Sequence, residues 1–207
     1  MTDEQRLKEI RAGREEPFLA LYREHQGGIF RFALRMCGDA ALAEDVVQEV
    51  FLNLIRPVND ECSFDSRRGT LTAYLYGIAR NLVRVRLRAR GRLHPLSDDQ
   101  PDEALLNGEW REWRELATPQ DELVRQETIE AVRQAVLALP EHYREAIILC
   151  DLHEMSYQEV ASILDCSLGT VRSRLHRGRL LLLDRLRGEM QAGRLRADGE
   201  RTVNKVI

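Results

Sequence analysis

Polar and basic side chains recur over eleven positions in the last third of the sequence, in the stretch SLGTVRSRLHR. If this stretch is helical, they share the outer face while Val171 and Leu175 point inward. Arginines suit guanine edges in a major groove, and hydroxyls and further arginines suit phosphates. The alternative is an ordinary helical hairpin with a basic solvent face. The candidate contacts to closed DNA duplex are Ser167, Thr170, Arg172, Ser173, His176 and Arg177.

Two short helices around a tight turn are needed to present that face. Ser156 is suited to cap a first helix that runs to Leu164, because its hydroxyl can accept from the first free backbone N–H groups. Asp165 lies at the turn, where a left-handed backbone is expected and aspartate tolerates it better than most residues. Ser167 is suited to cap the second helix. The pattern predicts a helix-turn-helix that places its second helix in a major groove.

A second basic segment points to a different form of DNA. Residues 67–92 contain eight arginines and no acidic residue, and such like charges at helical spacing repel one another without a partner. Arginines beside aromatic rings and an amide suit a strand with exposed, stacked bases, and the preceding loop suits a base turned out of the stack. A basic solvated helix remains the alternative. The candidates are Phe64, Asp65, Ser66, Tyr74, Arg80, Asn81, Arg84 and Arg88.

An acidic and amide-bearing face precedes this basic segment. In AEDVVQEVF, helical spacing places Asp45, Gln48 and Glu49 on one polar face, beside the apolar face of Val46 and Val50. Such a face would repel DNA, so it is better suited to a basic protein surface. A solvated helix face explains the same pattern equally well.

Composition and charge layout favour an all-α protein with nucleic-acid partners. The 207 residues are 43% hydrophobic and 31% charged, and leucine, alanine, arginine and glutamate, all good helix formers, dominate. The net charge of −3 conceals two basic blocks separated by an acidic stretch, and the distribution of charge matters more than the total. We predict an all-α fold of two small helical domains joined by an acidic linker, the second containing the helix-turn-helix.

Proline, glycine and helix-capping residues indicate where helices and domains end. The predicted segments are a polar lead-in over 1–14, a first domain over 15–92, an acidic linker over 93–121, a second domain over 122–187 and a polar tail over 188–207. Pro17, Gly38, Asp39 and Pro57 mark the helix ends of the first domain. Its second helix should bury Leu42, Val46, Val50, Phe51, Leu54 and Ile55. Its third helix should bury the stripe Leu71, Leu75, Ile78, Leu82 and Val85.

Several classes of protein are disfavoured by what the sequence lacks. Cys37, Cys62, Cys150 and Cys166 show neither a C-x-x-C pair nor zinc-ligand spacing, so we expect reduced thiols and no metal or cofactor. The sequence opens without a signal-peptide pattern, and no apolar run approaches the ~18 residues of a membrane span. A cytoplasmic protein without membrane insertion is expected. No nucleophile–base pair or phosphate-binding glycine loop indicates an enzyme.

Three motifs together resemble a known family. AEDVVQEVFLNLIR, FDSRRGTLTAYLYGIARNLV and the series LPEHYREAIIL, MSYQEVASIL and GTVRSRLHRGRLLL stand in the order found in the sigma-70 family of bacterial RNA polymerase subunits. The short length and two-domain layout resemble the extracytoplasmic-function (ECF) group. The resemblance covers about residues 15 to 187. It implies a promoter-recognition subunit rather than an enzyme.

The resemblance assigns a role to each polar surface. It implies that Asp45, Gln48 and Glu49 dock the β′ clamp of core RNA polymerase. The loop from Phe64 and the arginine helix would melt and capture the minus-ten promoter element. The helix-turn-helix would bind the minus-thirty-five element as duplex, and its domain would rest on the β flap. A regulatory anti-sigma protein is a further expected partner.

A free-standing transcriptional regulator is the main rival hypothesis. It would use the helix-turn-helix as a dimer on a palindromic site and would bind duplex without polymerase. That hypothesis leaves the acidic face at Asp45 and the arginine-rich helix without a role.

Overall fold

The computed structural model describes residues 2–56, 64–67, 69–91 and 121–191, with side chains described for 129–188 of the last range. Every regular element in these ranges is a helix. They are α1 (Asp3–Arg11), α2 (Glu15–Cys37), α3 (Ala40–Ile55), α4 (Leu71–Ala89), α5 (Asp121–Leu137), α6 (Glu141–Ile147), a π-helical turn (Ile148–Leu152), α7 (Tyr157–Leu164) and α8 (Leu168–Gln191). The predicted all-α class is confirmed.

The first helix lies in the segment that the sequence analysis treated as a polar lead-in. Thr2 and Gln5 form a reciprocal capping box: the Thr2 hydroxyl accepts from the Gln5 amide, and the Gln5 side chain accepts from the Thr2 amide. Leu7 and Ile10 are 3% and 2% exposed, so α1 docks through one apolar stripe. Its neighbours are α2 and α3. The T-x-x-Q spacing followed by Leu7 and Ile10 was the sequence signal for this helix.

Helices α2, α3 and α4 form a bundle with local signals at their ends. Gly38 ends α2 in the left-handed conformation, with φ of +70°. Asp39 then caps α3 by accepting from the Leu42 amide at 3.1 Å. Thr70 caps α4 by accepting from the Ala73 amide at 3.1 Å. The Gly38 and Asp39 roles were predicted and are confirmed.

The buried stripe of α4 differs from the predicted one. Leu71 and Leu75 are buried as expected, but Val85 is 63% exposed and the stripe continues instead through Ala79, Val83 and Leu87. The apolar residues of this helix spread over adjacent faces, so spacing alone did not select the core face. Packing against α2 selects it.

One close contact shows how α2 sets the register of α4. Tyr76 is buried and its ring packs edge-on against Phe32, with centroids 5.5 Å apart. A Cβ placed on Gly28 would lie only 2.6 Å from the Tyr76 hydroxyl, so the glycine makes room for this ring. The prediction for α3 also needs one correction: Ile55 is 46% exposed, because it is the last residue of the helix and the neighbouring Leu54 occupies the core side of that turn.

The second unit is built on the contact of α8 with α5 and α6. Gly178 lies where α8 approaches α6: a Cβ there would be 3.0 Å from Ile147 Cδ1 and 3.2 Å from Tyr143 Cβ. Ile147 is buried, as are Leu182 and Leu186 further along α8. The absence of a side chain at Gly178 therefore lets the two helices approach closely.

The described residues form two compact units, and most of α7 belongs to the first of them. The described residues cluster as 2–91 with 158–166, and as 121–157 with 167–191. The sequence placed all of 122–187 in one second domain, and this boundary stays a prediction. In the residues that the structure describes, no helix is both long and apolar enough to cross a bilayer.

Candidate nucleic-acid interface

The loop before α4 brings an aromatic pair together. Phe64 is half-buried, and its ring lies 5.6 Å from that of Tyr74, tilted by 60°. Asp65 shapes the next turn by accepting from the Arg67 amide at 2.9 Å. Asp65 and Ser66 are exposed. The loop therefore offers an aromatic wall with two short polar side chains beside it, which suits an unstacked base.

A contact that the sequence did not predict fixes one of these polar side chains. The Ser66 hydroxyl donates to the Glu4 carboxylate, Oγ to Oε1 at 2.5 Å, across 62 positions of sequence. Glu4 lies in the first turn of α1, and the docking of Leu7 and Ile10 holds that turn in place. The loop is thus supported from α1 as well as from α4.

Two arginines at the end of the arginine-rich helix pair with carboxylates of the first unit. Arg86 forms an ion pair with Glu49 of α3, and Arg90 donates to Asp39 at 2.6 Å. The hydrogen bond from Arg90, and then that from the Leu42 amide, lowers the pKa of Asp39 below its usual value. These pairs lie outside the predicted DNA set. Within that set, Asn81 and Arg88 are exposed, and Arg80 and Arg84 are half-buried.

One of the three predicted docking residues on the polar face of α3 already forms an ion pair within the first unit. Asp45 and Gln48 are exposed, as the prediction of a docking face requires. Glu49 is half-buried and paired with Arg86. The three residues therefore share one face, but only two of them project freely from it.

The start of α8 is organised by local hydrogen bonds. Ser167 accepts from the Thr170 amide at 3.1 Å, and the two hydroxyls lie 2.9 Å apart. Ser173 donates to the Thr170 carbonyl at 3.0 Å. Asp165 adopts φ of +52° in the preceding turn, which confirms the predicted left-handed position. The hydroxyls predicted to touch DNA thus shape the helix that carries them.

The remaining predicted residues of α8 differ in exposure. Arg172 is exposed, and Arg177 and His176 are half-buried. His176 Nε2 is shielded from solvent and finds no hydrogen-bond acceptor or donor among the described residues. Arg172 is consequently the best placed of the set for a base edge, and the His176 assignment stays a prediction.

A buried ion pair anchors α8 at its middle. Arg179 donates to Asp151 in the π-helical turn through Nε at 3.0 Å and Nη2 at 2.5 Å. Burial raises the pKa of Asp151, and the hydrogen bonds from Arg179 offset part of that rise. The same hydrogen bonds raise the pKa of Arg179, so the guanidinium stays charged. Sequence spacing gave no signal for this pair, whose partners lie 28 positions apart.

The Cys150 thiol beside this pair is half-buried and protonated. Burial raises the pKa of Cys150 to about 12. Burial also raises the pKa of Cys37. Both groups therefore remain weakly nucleophilic at neutral pH, as expected for structural cysteines.

Comparison with known proteins identifies the family. Residues 21–93 match the model of sigma-70 region 2, and residues 129–182 match that of sigma-70 region 4. The chain belongs to the ECF RNA polymerase sigma factors. It is 36% identical to the ECF RNA polymerase sigma factor SigE of Mycolicibacterium smegmatis, over 80% of this chain and 60% of SigE. It is 30% identical to SigW of Bacillus subtilis, over 90% of this chain and 98% of SigW.

A solved ECF-type structure supports the same assignment. The sigma factor RpoE of Bartonella quintana, solved in complex with the anti-sigma factor NepR, superimposes with a TM-score of 0.54 at 26% identity. The superposition covers 82% of this chain and 94% of RpoE. Region 2 of this sigma factor contains the loop, α3 and α4, and region 4 contains α8. The motifs that carried the resemblance therefore lie in the matched regions.

Proposed function

We propose that the two units divide promoter recognition between melted and closed DNA. As an ECF sigma factor, the chain acts in promoter recognition and transcription initiation with RNA polymerase. In the proposal, the loop at Phe64 and the basic side of α4 hold the melted minus-ten strand. The exposed face of α8 holds the minus-thirty-five element as duplex.

One observation carries this proposal: Phe64 and Tyr74 form an aromatic wall, and the exposed Asn81 and Arg88 follow Tyr74 at seven-residue intervals along α4. Aromatic rings stack on bases only when the bases are unpaired, whereas arginines follow the backbone of either form. The face of α8 has hydroxyls and arginines and no aromatic ring from Ser167 to Arg187 apart from the His176 imidazole. That composition suits phosphates and base edges of a closed groove.

The exposed part of the α3 face is proposed to dock the β′ clamp. Asp45 and Gln48 project freely, and Glu49 borders them while it holds Arg86. The second unit is proposed to rest on the β flap. A partner comparable to the anti-sigma factor bound to RpoE is proposed to hold the chain inactive. We place this non-catalytic role in the cytoplasm, where the polymerase transcribes.

The direct test is run-off transcription with core polymerase and the full chain on genomic promoter fragments. We expect specific transcripts whose start points share two upstream elements. Tight duplex binding by the chain alone, with no transcript from any fragment, would favour a free-standing regulator and overturn the proposal.

A sharper test separates docking from DNA binding. The double variant Asp45→Ala with Gln48→Ala should weaken association with core polymerase at least tenfold, since charged and amide contacts of this kind contribute ~1–3 kcal/mol each. Glu44→Ala is the matched control, because it removes a neighbouring exposed carboxylate of the same helix. If the double variant and the control associate with core polymerase equally well, the assignment of the docking face to Asp45 and Gln48 is wrong.

A further inference from the structure

The Ser66 hydroxyl belongs to the proposed base pocket, and it already donates its hydrogen to the Glu4 carboxylate. A serine hydroxyl has one hydrogen to donate and two lone pairs that accept. In this structure the hydrogen points to Glu4, whose carboxylate can only accept. The free lone pairs of Ser66 Oγ are therefore left to accept from a ligand. A serine without such a neighbour could turn and donate instead.

The helix that carries Glu4 is built to hold it in place. The capping box of Thr2 and Gln5 fixes the start of α1, and Leu7 and Ile10 bury its apolar stripe. Arg6 forms an ion pair with Glu24 of α2 at 3.0 Å, with the Arg6 side chain largely buried. The carboxylate of Glu4 is thus not a mobile terminal group. It belongs to a docked helix with three separate attachments.

The loop is fixed from the other side as well. The Phe64 ring packs on Tyr74, and the Asp65 carboxylate closes a turn onto the Arg67 amide. Ser66 stands between these two contacts and is exposed. Its hydroxyl is therefore presented to solvent from a supported backbone, with Glu4 deciding which way the hydrogen points.

An obligatory acceptor distinguishes two classes of base. Adenine and cytosine carry an exocyclic amino group that donates, whereas guanine and thymine carry a carbonyl oxygen at the equivalent position. A flipped base is read along this edge. An acceptor lone pair placed opposite this exocyclic position satisfies the amino group of adenine or cytosine and leaves the carbonyl of guanine or thymine unpaired there.

We propose that Glu4 is a positioning residue that turns Ser66 into an acceptor and so biases the captured base toward adenine or cytosine. This inference rests on the proposed function, because it requires the loop to hold a base of the melted element. It adds α1 to the recognition apparatus, through a contact that lies outside both matched family regions at its Glu4 end.

The test uses holoenzyme assembled from core polymerase and the full chain on the promoter found by run-off transcription. Each position of the downstream element is varied through all four bases, and open-complex formation is measured. For wild type we expect one position with a preference for amino over carbonyl bases on the order of tenfold, the size of one good base contact. Glu4→Gln should reduce that preference to near unity, because a neutral amide can also donate to Ser66.

Four further variants separate the positioning role of Glu4 from other effects. Glu9→Gln removes an exposed carboxylate of the same helix and should retain the preference. Ser66→Ala should abolish the preference, and combining it with Glu4→Gln should have no further effect, since Glu4 acts through Ser66. Ser66→Thr, which keeps the hydroxyl, should restore it.

The outcomes distinguish this inference from the function on which it rests. An unchanged amino preference in Glu4→Gln, together with its loss in Ser66→Ala, would overturn the role of Glu4 and leave the base pocket intact. If Ser66→Ala also kept the wild-type preference, the pocket assignment itself would be wrong.

Discussion

Two segments that we propose to face DNA, the loop before α4 and the start of α8, each present a serine, but the two serines are held in opposite ways. Ser66 is fixed by Glu4, 62 positions away, and depends on the docking of α1. Ser167 is fixed by Thr170, three positions along the same helix. The melted strand is thus proposed to meet a surface assembled from distant parts of the chain. The duplex is proposed to meet a helix that largely organises itself.

This difference fits the two kinds of DNA. Closed B-DNA has a regular groove, so a helix with a defined start needs little else to enter it. An unstacked base needs a pocket with walls from several directions, and a single helix cannot provide them. We therefore expect substitutions far from the loop to affect capture of the melted element, and substitutions within the second unit to affect duplex binding.

The variant with the largest expected effect tests whether α8 depends on a contact outside the helix, the ion pair between Asp151 and Arg179. Asp151→Ala leaves Arg179, whose side chain is only 17% exposed, without the carboxylate that accepts both hydrogen bonds of the pair. Breaking a buried pair in this way costs about 3–5 kcal/mol. We expect α8 amides to exchange hydrogen much faster and duplex binding to weaken, while the amides of α2–α4 keep their protection.

Two variants complete that experiment. Asp151→Ala with Arg179→Met should recover part of the loss, since no buried charge is then left unpaired. Asp184→Ala removes an exposed carboxylate of α8 and should change nothing. If the amide hydrogen exchange of α8 is unchanged in Asp151→Ala, the ion pair does not anchor the helix. The difference between a self-organised α8 and a loop that depends on α1 would then be larger than proposed.

The next effect tests the dependence of the loop on α1. Leu7→Ala removes most of a side chain that is 3% exposed, and such truncations cost about 2–3 kcal/mol when the site relaxes in part. If α1 loosens, Ser66 loses Glu4 and the loop loses one of its supports. We expect holoenzyme to bind a pre-melted downstream element more weakly, and the chain's affinity for upstream duplex to stay at the wild-type value.

Lys8→Ala is the matched control, because it lies in the same helix and is exposed. It should leave both kinds of DNA binding unchanged. Equal losses of melted-strand and duplex binding in Leu7→Ala would contradict the division, because a helix of the first unit would then support both.

What could be predicted from the sequence follows the same division between local and distant contacts. The caps at Asp39 and Ser167 and the left-handed Asp165 depend on residues within three positions, and each was predicted correctly. The fold class followed from helix formers and apolar spacing. The capping box at Thr2 is equally local and carried the signal for α1, although the segment was treated as a lead-in.

Contacts between distant residues could not be predicted. The pairs Glu4–Ser66 and Glu49–Arg86 join positions 62 and 37 apart, and no spacing rule links them. The core face of α4 was wrong at Val85 for a related reason: several apolar faces compete within one helix, and only the fit of Tyr76 against Phe32 and Gly28 selects one. The side-chain environment of His176 likewise depends on tertiary packing.

The smallest effect concerns Ser167 and separates two roles that its position combines. As an N-cap it accepts from the Thr170 amide, and replacing such a serine with alanine costs about 1 kcal/mol. A destabilisation of this size at the start of α8 would weaken duplex binding by about fivefold. Asparagine caps as well as serine does, so Ser167→Asn should restore binding if the cap is what matters. A direct contact to phosphate would not survive the change in shape.

The matched change in the first unit is Thr70→Ala, because Thr70 caps α4 through the Ala73 amide at the same distance of 3.1 Å. It should weaken binding of the pre-melted element and leave duplex affinity unchanged, whereas Ser167→Ala should do the reverse. Duplex affinity that falls in Ser167→Ala and stays low in Ser167→Asn would make Ser167 a DNA contact first and a cap second. In that case the start of α8 would contribute to DNA binding through a direct contact as well as through its own capping hydrogen bond.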